Sequence, residues 1–481
     1  MAITRRQFLK RAGFATAGTM GLPTVFGSPL VRNAFADTIG DRYLVIVFLT
    51  GGNDGLNTVI PIDNAGGANL RAAYEDARGT GGGGLRISSG EMAIPGSAPT
   101  DPNTGTALGF HPGLAGLGAM YDAGDVAVVQ GTGYPDYSLS HESSRIIWQT
   151  ANPTAMSALS GSGWAGRHLG LEYGPSDVYG VTIDDSIAPE LRTSDTSVLA
   201  INNLGRFGFP TDNLSGYLNE VEQAAENGYY RQAYQDVAAA AGTSAEPLTS
   251  LLGNSGTATY DSTESYPPLD ALYKADRAGF NSAYSALGTG MASDLRDVAK
   301  IIYGVSTGQP NVNARFFQCN NGGYDTHADQ GAASGQHFSL HAEVANAVEL
   351  FFADMNDMGV GNKVTMVVWS EFSRRIPQNA NGTDHGSQGP MFVIGESVNG
   401  GIYGNHPDIN SGSLDNKENT VYSQDALDPF RSTDFRDVFG TILKHWVNMD
   451  EADILADVLP LDVLGPSSEY WNVQDFDLGF L

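Results

Sequence analysis

Seven short apolar runs are spread along the chain, and longer polar or amphipathic segments separate them. Each run has four to seven residues and predicts a buried β-strand. Most runs are continuous rather than alternating, which is typical of parallel strands that are covered on both faces. The runs cover residues 43–49, 125–130, 178–183, 197–201, 315–319, 364–369 and 391–394.

Helical patterns lie between these runs, and the clearest one covers 337–358, where the residues of one face recur every three or four positions. Strands that alternate with helices predict a three-layer α/β/α domain with a mostly parallel central sheet. The stretch 211–302 is rich in Ala, Gln and Tyr and has few strand signals. We interpret it as a helical insertion or cap within a single domain that covers residues 37–481.

The first 36 residues have the parts of a twin-arginine signal peptide. Arg5-Arg6-Gln7-Phe8-Leu9 precedes a weakly apolar stretch, and the small-x-small site Ala34-Phe35-Ala36 ends it. An N-terminal membrane anchor is the alternative, but the apolar run is short and rich in Gly and Thr. We therefore predict export by the twin-arginine translocase to the periplasm or the outside of the cell, with no membrane-spanning segment in the mature chain.

The charge of the chain excludes some classes of partner. The full sequence has a net charge of −28, and loss of the first 36 residues removes five basic residues and no acidic one, which leaves −33. So acidic a surface repels nucleic acid and anionic membranes. An anionic substrate would need a local metal ion or arginine cluster. Cys319 is the sole cysteine, so the chain has no internal disulfide.

Segments rich in Asp, His, Glu and Ser flank the predicted strands. They cover residues 50–55, 134–142, 322–327, 370–375 and 383–386. In open parallel sheets, ligands bind beyond the carboxyl ends of the strands, so we expect these segments to meet at one edge. Mixed Asp and His ligands suit zinc, manganese or a similar divalent ion. The sequence therefore predicts a metal site at that edge.

Each segment also has a purely structural interpretation. Asp54 and Asp325 are each typical of a turn, and Glu371 is placed to pair with Arg374 or Arg375 at the end of a strand. Ser140 is a suitable N-cap for a helix that continues through Trp148. The placement of all five segments beside strand ends, rather than any single one, favours a functional site.

Several of these motifs also occur together in a known family. They are Gly51-Gly52-Asn53-Asp54-Gly55, Ser140-His141, Gly163-Trp164-Ala165-Gly166-Arg167, Gly323-Tyr324-Asp325-Thr326-His327 and Trp369-Ser370-Glu371-Phe372-Ser373-Arg374. With the signal peptide, they resemble the domain-of-unknown-function family numbered 1501 over nearly the whole mature chain. That family is similar to a distant branch of the alkaline phosphatase and sulfatase superfamily. The resemblance implies a three-layer α/β fold, two metal sites and a nucleophile at a helix N-terminus.

The resemblance implies roles for particular positions. Asp54 matches the metal-bridging aspartate after the first strand. Ser140 or His141 falls at the position of the nucleophile. Asp325 and His327 resemble an aspartate and a histidine of the first metal site, although the superfamily usually spaces them further apart.

The sequence departs from the superfamily pattern at one metal site. An Asp-His or Asp-Asn pair is expected near Glu371-Phe372, but Phe372 cannot bind a metal. His385 resembles a late histidine that precedes another strand. Alternatively, Asp384-His385 is the displaced pair, and the late histidine is missing or is His406. No Cys-x-Pro-x-Arg motif is present, which excludes a formylglycine nucleophile.

We therefore expect a metal-dependent hydrolase or transferase that acts on small anionic phosphate, sulfate or related esters. One or two divalent ions (zinc, manganese, magnesium or calcium) would be shared by Asp54, Asp325, His327, Glu371, Asp384 and His385. Ser140, or His141 beside it, would act as nucleophile at a helix N-terminus. Arginine forks match tetrahedral oxyanions, so the anionic group would be held by Arg145, Arg167 and Arg374.

A binding or assembly protein of the cell envelope that has lost its chemistry is the alternative, and the altered metal site favours it. A serine hydrolase of the α/β-hydrolase type would need a Gly-x-Ser-x-Gly nucleophile elbow, and we expect none in the chain. A nucleotide-binding function is disfavoured because the chain has no Walker motif and no Gly-x-Gly-x-x-Gly after a strand.

Overall fold

A nine-stranded mixed sheet forms the centre of the protein in a computed structural model. The structure describes residues 38–80, 82–134, 137–152, 161–174, 178–202, 204, 269–308, 313–409, 432–459 and 475–481. The described residues include strands of the central sheet and of two small two-stranded sheets, β2 with β3 and β9 with β10. All the strands, in chain order, are β1 Tyr43–Leu49, β2 Val59–Pro61, β3 Leu108–Phe110, β4 Val126–Gly133, β5 Val178–Ile183, β6 Ser197–Ala200, β7 Phe316–Asn321, β8 Val364–Trp369, β9 Ser373–Arg374, β10 His385–Gly386, β11 Gly389–Ile394, β12 Gly401–Tyr403 and β13 Thr433–Asp434.

The strand order in the central sheet is β12-β4-β11-β8-β1-β7-β5-β6, and β13 pairs with β4. Within this sheet, β11 alone runs antiparallel to its neighbours. The other pairs are parallel. The prediction of a mostly parallel sheet is therefore confirmed. All seven predicted strands are present, and three of them, β1, β5 and β8, have the predicted bounds.

Helices connect the strands. They are α1 Gly55–Thr58, α2 Leu70–Ala77, α3 Gly118–Ala123, α4 His141–Thr150, α5 Trp164–Glu172, α6 Leu269–Asp276, α7 Ala278–Leu287, α8 Gly290–Ser306, α9 Gln336–Asp357, α10 Phe435–Thr441 and α11 Glu451–Asp453. Helix α9 begins and ends within one residue of the predicted 337–358. Two π-helical turns, Ile442–Trp446 and Ile454–Val458, follow α10 and α11.

Both faces of the sheet are covered by helices. Alternate β1 residues such as Val45 and Val47 belong to a core that includes buried side chains of α8 and α9. On the opposite face, Phe48 stacks on Trp369 of β8, and Trp369 stacks on Trp148 of α4 at a centroid distance of 5.2 Å. Side chains that alternate between two covered faces make the three predicted layers.

The predicted helical insertion differs from the structure in its last part. Most of 211–302 lies outside the described residues, but the chain from Leu269 onward is helical. Helix α8 packs against α9 and β7 and buries Leu295 and Val298 in the central core. This part therefore belongs to one of the two helix layers, and the expected boundary at Ile302 falls inside α8.

The chain from Asp41 to Leu481 forms one compact unit, and the candidate site described below lies within it. The signal peptide predicted for residues 1–36 lies outside the described residues. Within the part of the chain that the structure describes, no helix is both long and apolar enough to cross a membrane.

Candidate metal centre

The polar segments that the sequence predicts at one edge of the sheet meet there in the structure. The loops after β7 and β8 leave the sheet at the carboxyl ends of parallel strands. The segment 383–386 precedes β11, and because β11 is antiparallel, its N-terminal end lies at this same edge. Pairing of β9 with β10 places Arg374 opposite His385 and joins two of the segments. We call this edge the rim.

Three histidines surround one aspartate at the rim. The Asp325 carboxylate lies 3.4 Å from His141 Nε2, 3.2 Å from His327 Nε2 and 3.3 Å from His385 Nε2. His327 Nε2 and His385 Nε2 are 2.9 Å apart. One ligand atom from each of His141, Asp325 and His385 lies within 4.8 Å of the other two. We call these four residues the histidine–aspartate cluster.

Glu371 lies behind the cluster and is fully buried. Its carboxylate accepts hydrogen bonds from Gly51 N (2.9 and 3.1 Å), Gly52 N (3.2 Å) and Ser370 Oγ (3.1 Å). His141 Nδ1 is 2.9 Å from Glu371 Oε1. This hydrogen bond raises the pKa of His141, although burial acts in the opposite direction. The contacts favour Glu371 as the partner of a histidine, rather than as the metal ligand that the sequence predicted.

The other two histidines of the cluster also have an oxygen beside Nδ1. His327 Nδ1 lies 3.2 Å from Asp384 Oδ1, and His385 Nδ1 lies 2.7 Å from the carbonyl oxygen of Leu139. An acceptor at this position favours the tautomer with the proton on Nδ1, which leaves the Nε2 lone pair free. Asp384, predicted as a ligand, thus contacts a cluster histidine in the same way as Glu371.

Arg374 fixes the charge of Asp325. Its guanidinium is fully buried and donates to Asp325 Oδ1 at 2.8 Å. Burial raises the pKa of Asp325, but the hydrogen bond and charge of Arg374 outweigh it and lower the pKa to about 2. The guanidinium also donates to the carbonyl oxygens of Gly51, Gly52, Tyr324 and Thr383. Its donors therefore hold the rim together, whereas the sequence predicted that they bind a substrate.

Two glycines permit the close packing behind the cluster. Gly51 and Gly52 have φ angles of 124° and 81°. A Cβ atom on Gly51 would lie 2.3 Å from the backbone nitrogen of Asp325, and one on Gly52 would lie 2.4 Å from Phe372 Cε2. The ring of Phe372 in turn packs on His385, with 4.5 Å between centroids. Thus Phe372, where the resemblance leads one to expect a ligand, supports the histidines.

Ser140 is the N-cap of α4, as the structural interpretation of the sequence predicts. Its side chain accepts a hydrogen bond from Ser143 N at 3.5 Å, and the residue is exposed. Because His141 is the first residue of α4, Ser140 lies next to the cluster in the chain. The nucleophile role of Ser140 stays a prediction.

Asp54 has contacts of its own, apart from the cluster. Arg78 Nη2 donates to Asp54 Oδ1 at 2.8 Å, and Gln330 Nε2 donates to Oδ2 at 2.6 Å. Both Asp54 and Arg78 are fully buried. Asp54 is also the N-cap of α1. These contacts favour a structural ion pair, and the metal-ligand role of Asp54 stays a prediction.

The two remaining candidate arginines also have structural surroundings. Arg167 donates to the carbonyl oxygens of Thr150, Ser162 and Val458 at 2.6 to 2.8 Å, and burial lowers its pKa to about 10. Arg145 lies one turn after His141 on α4, and its charge acts on the buried Glu190. The contacts of Arg167 thus differ from the anion-binding role predicted for it.

A second group of three histidines, which is not among the predicted site residues, lies beneath the rim. His111, His337 and His341 are buried, with ring centroids 4.2 to 5.1 Å apart. His337 Nε2 lies 2.9 Å from Asn53 Oδ1, and His341 Nε2 lies 3.2 Å from Thr58 Oγ1. The spacing of His337 and His341, four residues apart in a predicted helix, was the available signal.

The expectation that the chain has no Gly-x-Ser-x-Gly motif is wrong, although the match has the wrong structural context for a nucleophile. Gly304-Val305-Ser306-Thr307-Gly308 fits the pattern Gly-x-Ser-x-Gly. However, Ser306 is the last residue of α8, whereas a nucleophile elbow requires a turn from a strand into a helix.

Solved structures with some similarity to this chain include the following three. Ps i-CgsB in complex with k-i-k-neocarrahexaose is 9% identical, with 87% of this chain and 75% of that chain covered and a TM-score of 0.31. The PsFucS1 sulfatase from Pseudoalteromonas sp. is 11% identical, with coverages of 90% and 77% and a TM-score of 0.31. The alkaline phosphatase PafA is 10% identical, with coverages of 69% and 63% and a TM-score of 0.27. TM-scores this low transfer no activity to this chain.

A family model matches most of the chain. No curated protein matches the sequence. The family described as "Protein of unknown function (DUF1501)" matches residues 83–456, which include the whole histidine–aspartate cluster and Glu371. A match over most of the chain shows its family: this protein belongs to the DUF1501 family.

Proposed function

We propose that this protein is an exported, metal-dependent hydrolase or transferase that acts on small anionic phosphate, sulfate or related esters. One observation carries the proposal: three imidazole Nε2 atoms lie within 3.2 to 3.4 Å of the single carboxylate of Asp325 at the rim. Ligands that bind tetrahedrally at about 2.0–2.1 Å are separated by roughly 3.3 Å. The distances from Asp325 to His141 and His385, 3.4 and 3.3 Å, therefore fit two edges of a metal coordination shell, and His327 lies directly beside it.

The donor set also fits an ion. His141 Nε2 is buried and makes no hydrogen bond of acceptable geometry with the residues that the structure describes. Because an oxygen accepts the Nδ1 proton of each histidine, the Nε2 lone pairs face the negatively charged carboxylate of Asp325. A cation between these groups would stabilise the arrangement. His141, Asp325 and His385 would hold the ion. Nitrogen-rich sites favour zinc and similar ions over magnesium and calcium.

A bound divalent ion would supply Lewis-acid polarisation of the ester and a lower pKa for a coordinated nucleophile. The chain itself would supply proton transfer. His327 lies beside His385 and Asp325, and Asp384 orients it through Nδ1. We assign to this histidine the removal of a proton from the nucleophile, or its delivery to the leaving group. The partly exposed cluster, where the His141 side chain is 37% accessible, leaves room for a substrate.

Ser140 is the proposed nucleophile, because it immediately precedes His141 at the N-terminus of α4. Ser140→Ala separates this role from capping. If Ser140 attacks the substrate, the variant binds metal normally but loses ester turnover. If Ser140 is only a cap, turnover persists and the variant loses about 1 kcal/mol of stability.

A binding or assembly protein of the cell envelope is the second candidate, and one observation favours it. The donors of Arg167 and Arg374 are taken up by backbone carbonyls and Asp325. These two guanidinium groups therefore do not serve the anion clamp that ester hydrolysis would use. Under this candidate, the protein binds the ion but none of the esters reacts.

Elemental analysis of the purified protein, followed by ester assays, tests the proposal. We expect near-stoichiometric zinc or a similar divalent ion, its loss in Asp325→Ala, and metal-dependent cleavage of aryl phosphate or sulfate esters. His445→Ala is a matched control, because His445 also pairs with an aspartate, Asp477, at 2.6 Å. It should retain ion and activity. Folded protein that takes up no ion, even when the ion is supplied during expression, would contradict the proposal.

Export forms part of the same proposal. The Arg5-Arg6 motif and the Ala34-Phe35-Ala36 site support transport by the twin-arginine translocase into the periplasm or beyond. Fusion of residues 1–36 to a reporter that requires folding before export tests it. Lysine substitutions at Arg5 and Arg6 should abolish export of the reporter.

A further inference from the structure

Glu371 connects the cluster to the backbone of the rim. Its carboxylate accepts from the backbone of Gly51 and Gly52, and its carbonyl oxygen accepts from Ser144 Oγ of α4. The only side chain of the histidine–aspartate cluster that contacts its carboxylate is His141, at 2.9 Å. A fully buried carboxylate is costly unless donors satisfy it, and these donors do so.

The same contacts leave Glu371 poorly placed to bind an ion directly. Oε1 faces Gly51 N and His141 Nδ1, whereas Oε2 faces Gly51 N, Gly52 N and Ser370 Oγ. Both oxygens are therefore engaged. The ligand atoms that converge at the rim belong to His141, Asp325 and His385.

His141 has two ring nitrogens with different surroundings. Nδ1 faces the anionic Oε1 of Glu371, whereas Nε2 faces Asp325 at 3.4 Å. A carboxylate beside Nδ1 keeps the proton on that nitrogen and makes Nε2 the more basic lone pair. The remaining donors of Glu371 are the backbone N–H groups of Gly51 and Gly52 and the hydroxyl of the neighbouring Ser370, so the direction of this carboxylate is set largely by the backbone of the rim.

We propose that Glu371 is a positioning residue that holds His141 in the Nδ1–H tautomer and aims its Nε2 at the metal ion. The inference rests on the metal-binding part of the proposed function. It assigns Glu371 a place outside the coordination shell, in contrast to the ligand role that the sequence suggests. Outer-shell carboxylates of this kind typically change metal affinity by 10- to 100-fold.

Glu371→Gln tests the role, because the amide keeps the shape of the side chain and removes its charge. Zinc affinity is measured by competition with a chelator, and the visible spectrum of the Co²⁺-substituted protein reports the coordination shell. We expect zinc affinity to fall 10- to 100-fold, one ion still to bind, and the cobalt bands to keep their positions. His141→Ala should shift the cobalt bands, since it removes a ligand.

Asp101→Asn is the matched control, because Asp101 is also a fully buried carboxylate that accepts backbone hydrogen bonds, from Thr104 and His406 at 2.8 Å. It should leave zinc affinity unchanged. If the zinc affinity of Glu371→Gln equals that of Asp101→Asn, the proposal is overturned and Glu371 is a purely structural residue. Cobalt bands that shift in Glu371→Gln as in His141→Ala would make Glu371 a ligand.

A readout without metal separates this inference from the proposed function. Nitrogen-15 chemical shifts of the imidazoles identify the tautomer of His141 in the metal-free protein. We expect the Nδ1–H form in the wild type and a mixture or the other tautomer in Glu371→Ala. If the wild type binds no ion but the tautomer of His141 differs between the wild type and Glu371→Ala, the proposed function fails and the positioning by Glu371 stands. An unchanged tautomer in Glu371→Ala overturns the positioning role itself.

Discussion

Glu190 is a buried acid whose replacement should stabilise the protein in a pH-dependent manner. It lies in the 3₁₀ turn Pro189–Leu191 and is fully buried. The amides of Gln149 and Gln318 lie close to its carboxyl group, yet neither carboxyl oxygen receives a hydrogen bond of acceptable geometry from the residues that the structure describes. Burial raises the pKa of Glu190 from 4.5 to about 7, and its own backbone N–H, Gln149, Arg145 and Gln318 offset only part of this effect.

A raised pKa in the folded state means that the native protein binds this proton more tightly than the unfolded chain does. The resulting stability is fully present below pH 4.5 and is lost as the pH rises through 7. A shift of one pKa unit corresponds to 1.36 kcal/mol. Between pH 5 and pH 8, the wild type should therefore lose about 2.5 kcal/mol through Glu190 alone.

Glu190→Gln cannot titrate, so it should avoid this loss. Urea unfolding followed by tryptophan fluorescence at pH 5 and pH 8 gives the free energies of unfolding of both proteins. From pH 5 to pH 8, the free energy of unfolding of the variant should rise by about 2.5 kcal/mol relative to that of the wild type. Glu396→Gln, the same substitution at an exposed position, gives the effect of removing one surface charge. A Glu190→Gln difference that is equal at the two pH values would refute the reasoning.

Two further predictions concern the packing beneath the rim. Gly52→Ala and Gly67→Ala impose similar strain, since their φ angles are 81° and 77°, but a Cβ atom has open space at Gly67 and meets Phe372 at Gly52. Gly67→Ala should cost about 1–2 kcal/mol, because an L-residue is strained at this φ. Gly52→Ala should cost about 1–3 kcal/mol more by urea unfolding, with weaker metal binding; equal costs would contradict the packing argument. Burial holds the pKa of His341 well below its usual value, so neutral His341 stabilises the fold above pH 6.5 and this contribution declines as the pH falls. His341→Gln should therefore reduce the loss of stability between pH 6.5 and 5.5 by up to about 1 kcal/mol, and an unchanged pH dependence would count against it.

The strands were predictable because their signal is local. Continuous apolar runs such as 43–49 and 364–369 are compatible with few structures other than a strand covered on both faces, and they form β1 and β8. Helix α9 was equally clear from its periodicity. By contrast, the end of the predicted insertion at Ile302 was misplaced, because periodicity shows that α8 is a helix but not which element it packs against.

The site was predictable in place but not in the roles of its residues. Strand ends followed by Asp, His and Glu indicated the rim, and Asp325, His327 and His385 meet there. The sequence does not show whether a carboxylate faces an ion or a histidine. Glu371 contacts His141, which is 230 residues away in the chain, and that pairing depends on how α4 is oriented over the loop after β8.

The sequence by itself determined the layers, the elements and the edge at which polar segments gather, because periodicity and strand-end chemistry are properties of neighbouring residues. Only the tertiary structure decided which side chains pair. It reversed β11, which brings 383–386 to the rim, and it paired Asp54 with Arg78. Such pairings follow from hydrogen bonds that buried polar groups must find among residues distant in the chain, and no local pattern encodes them.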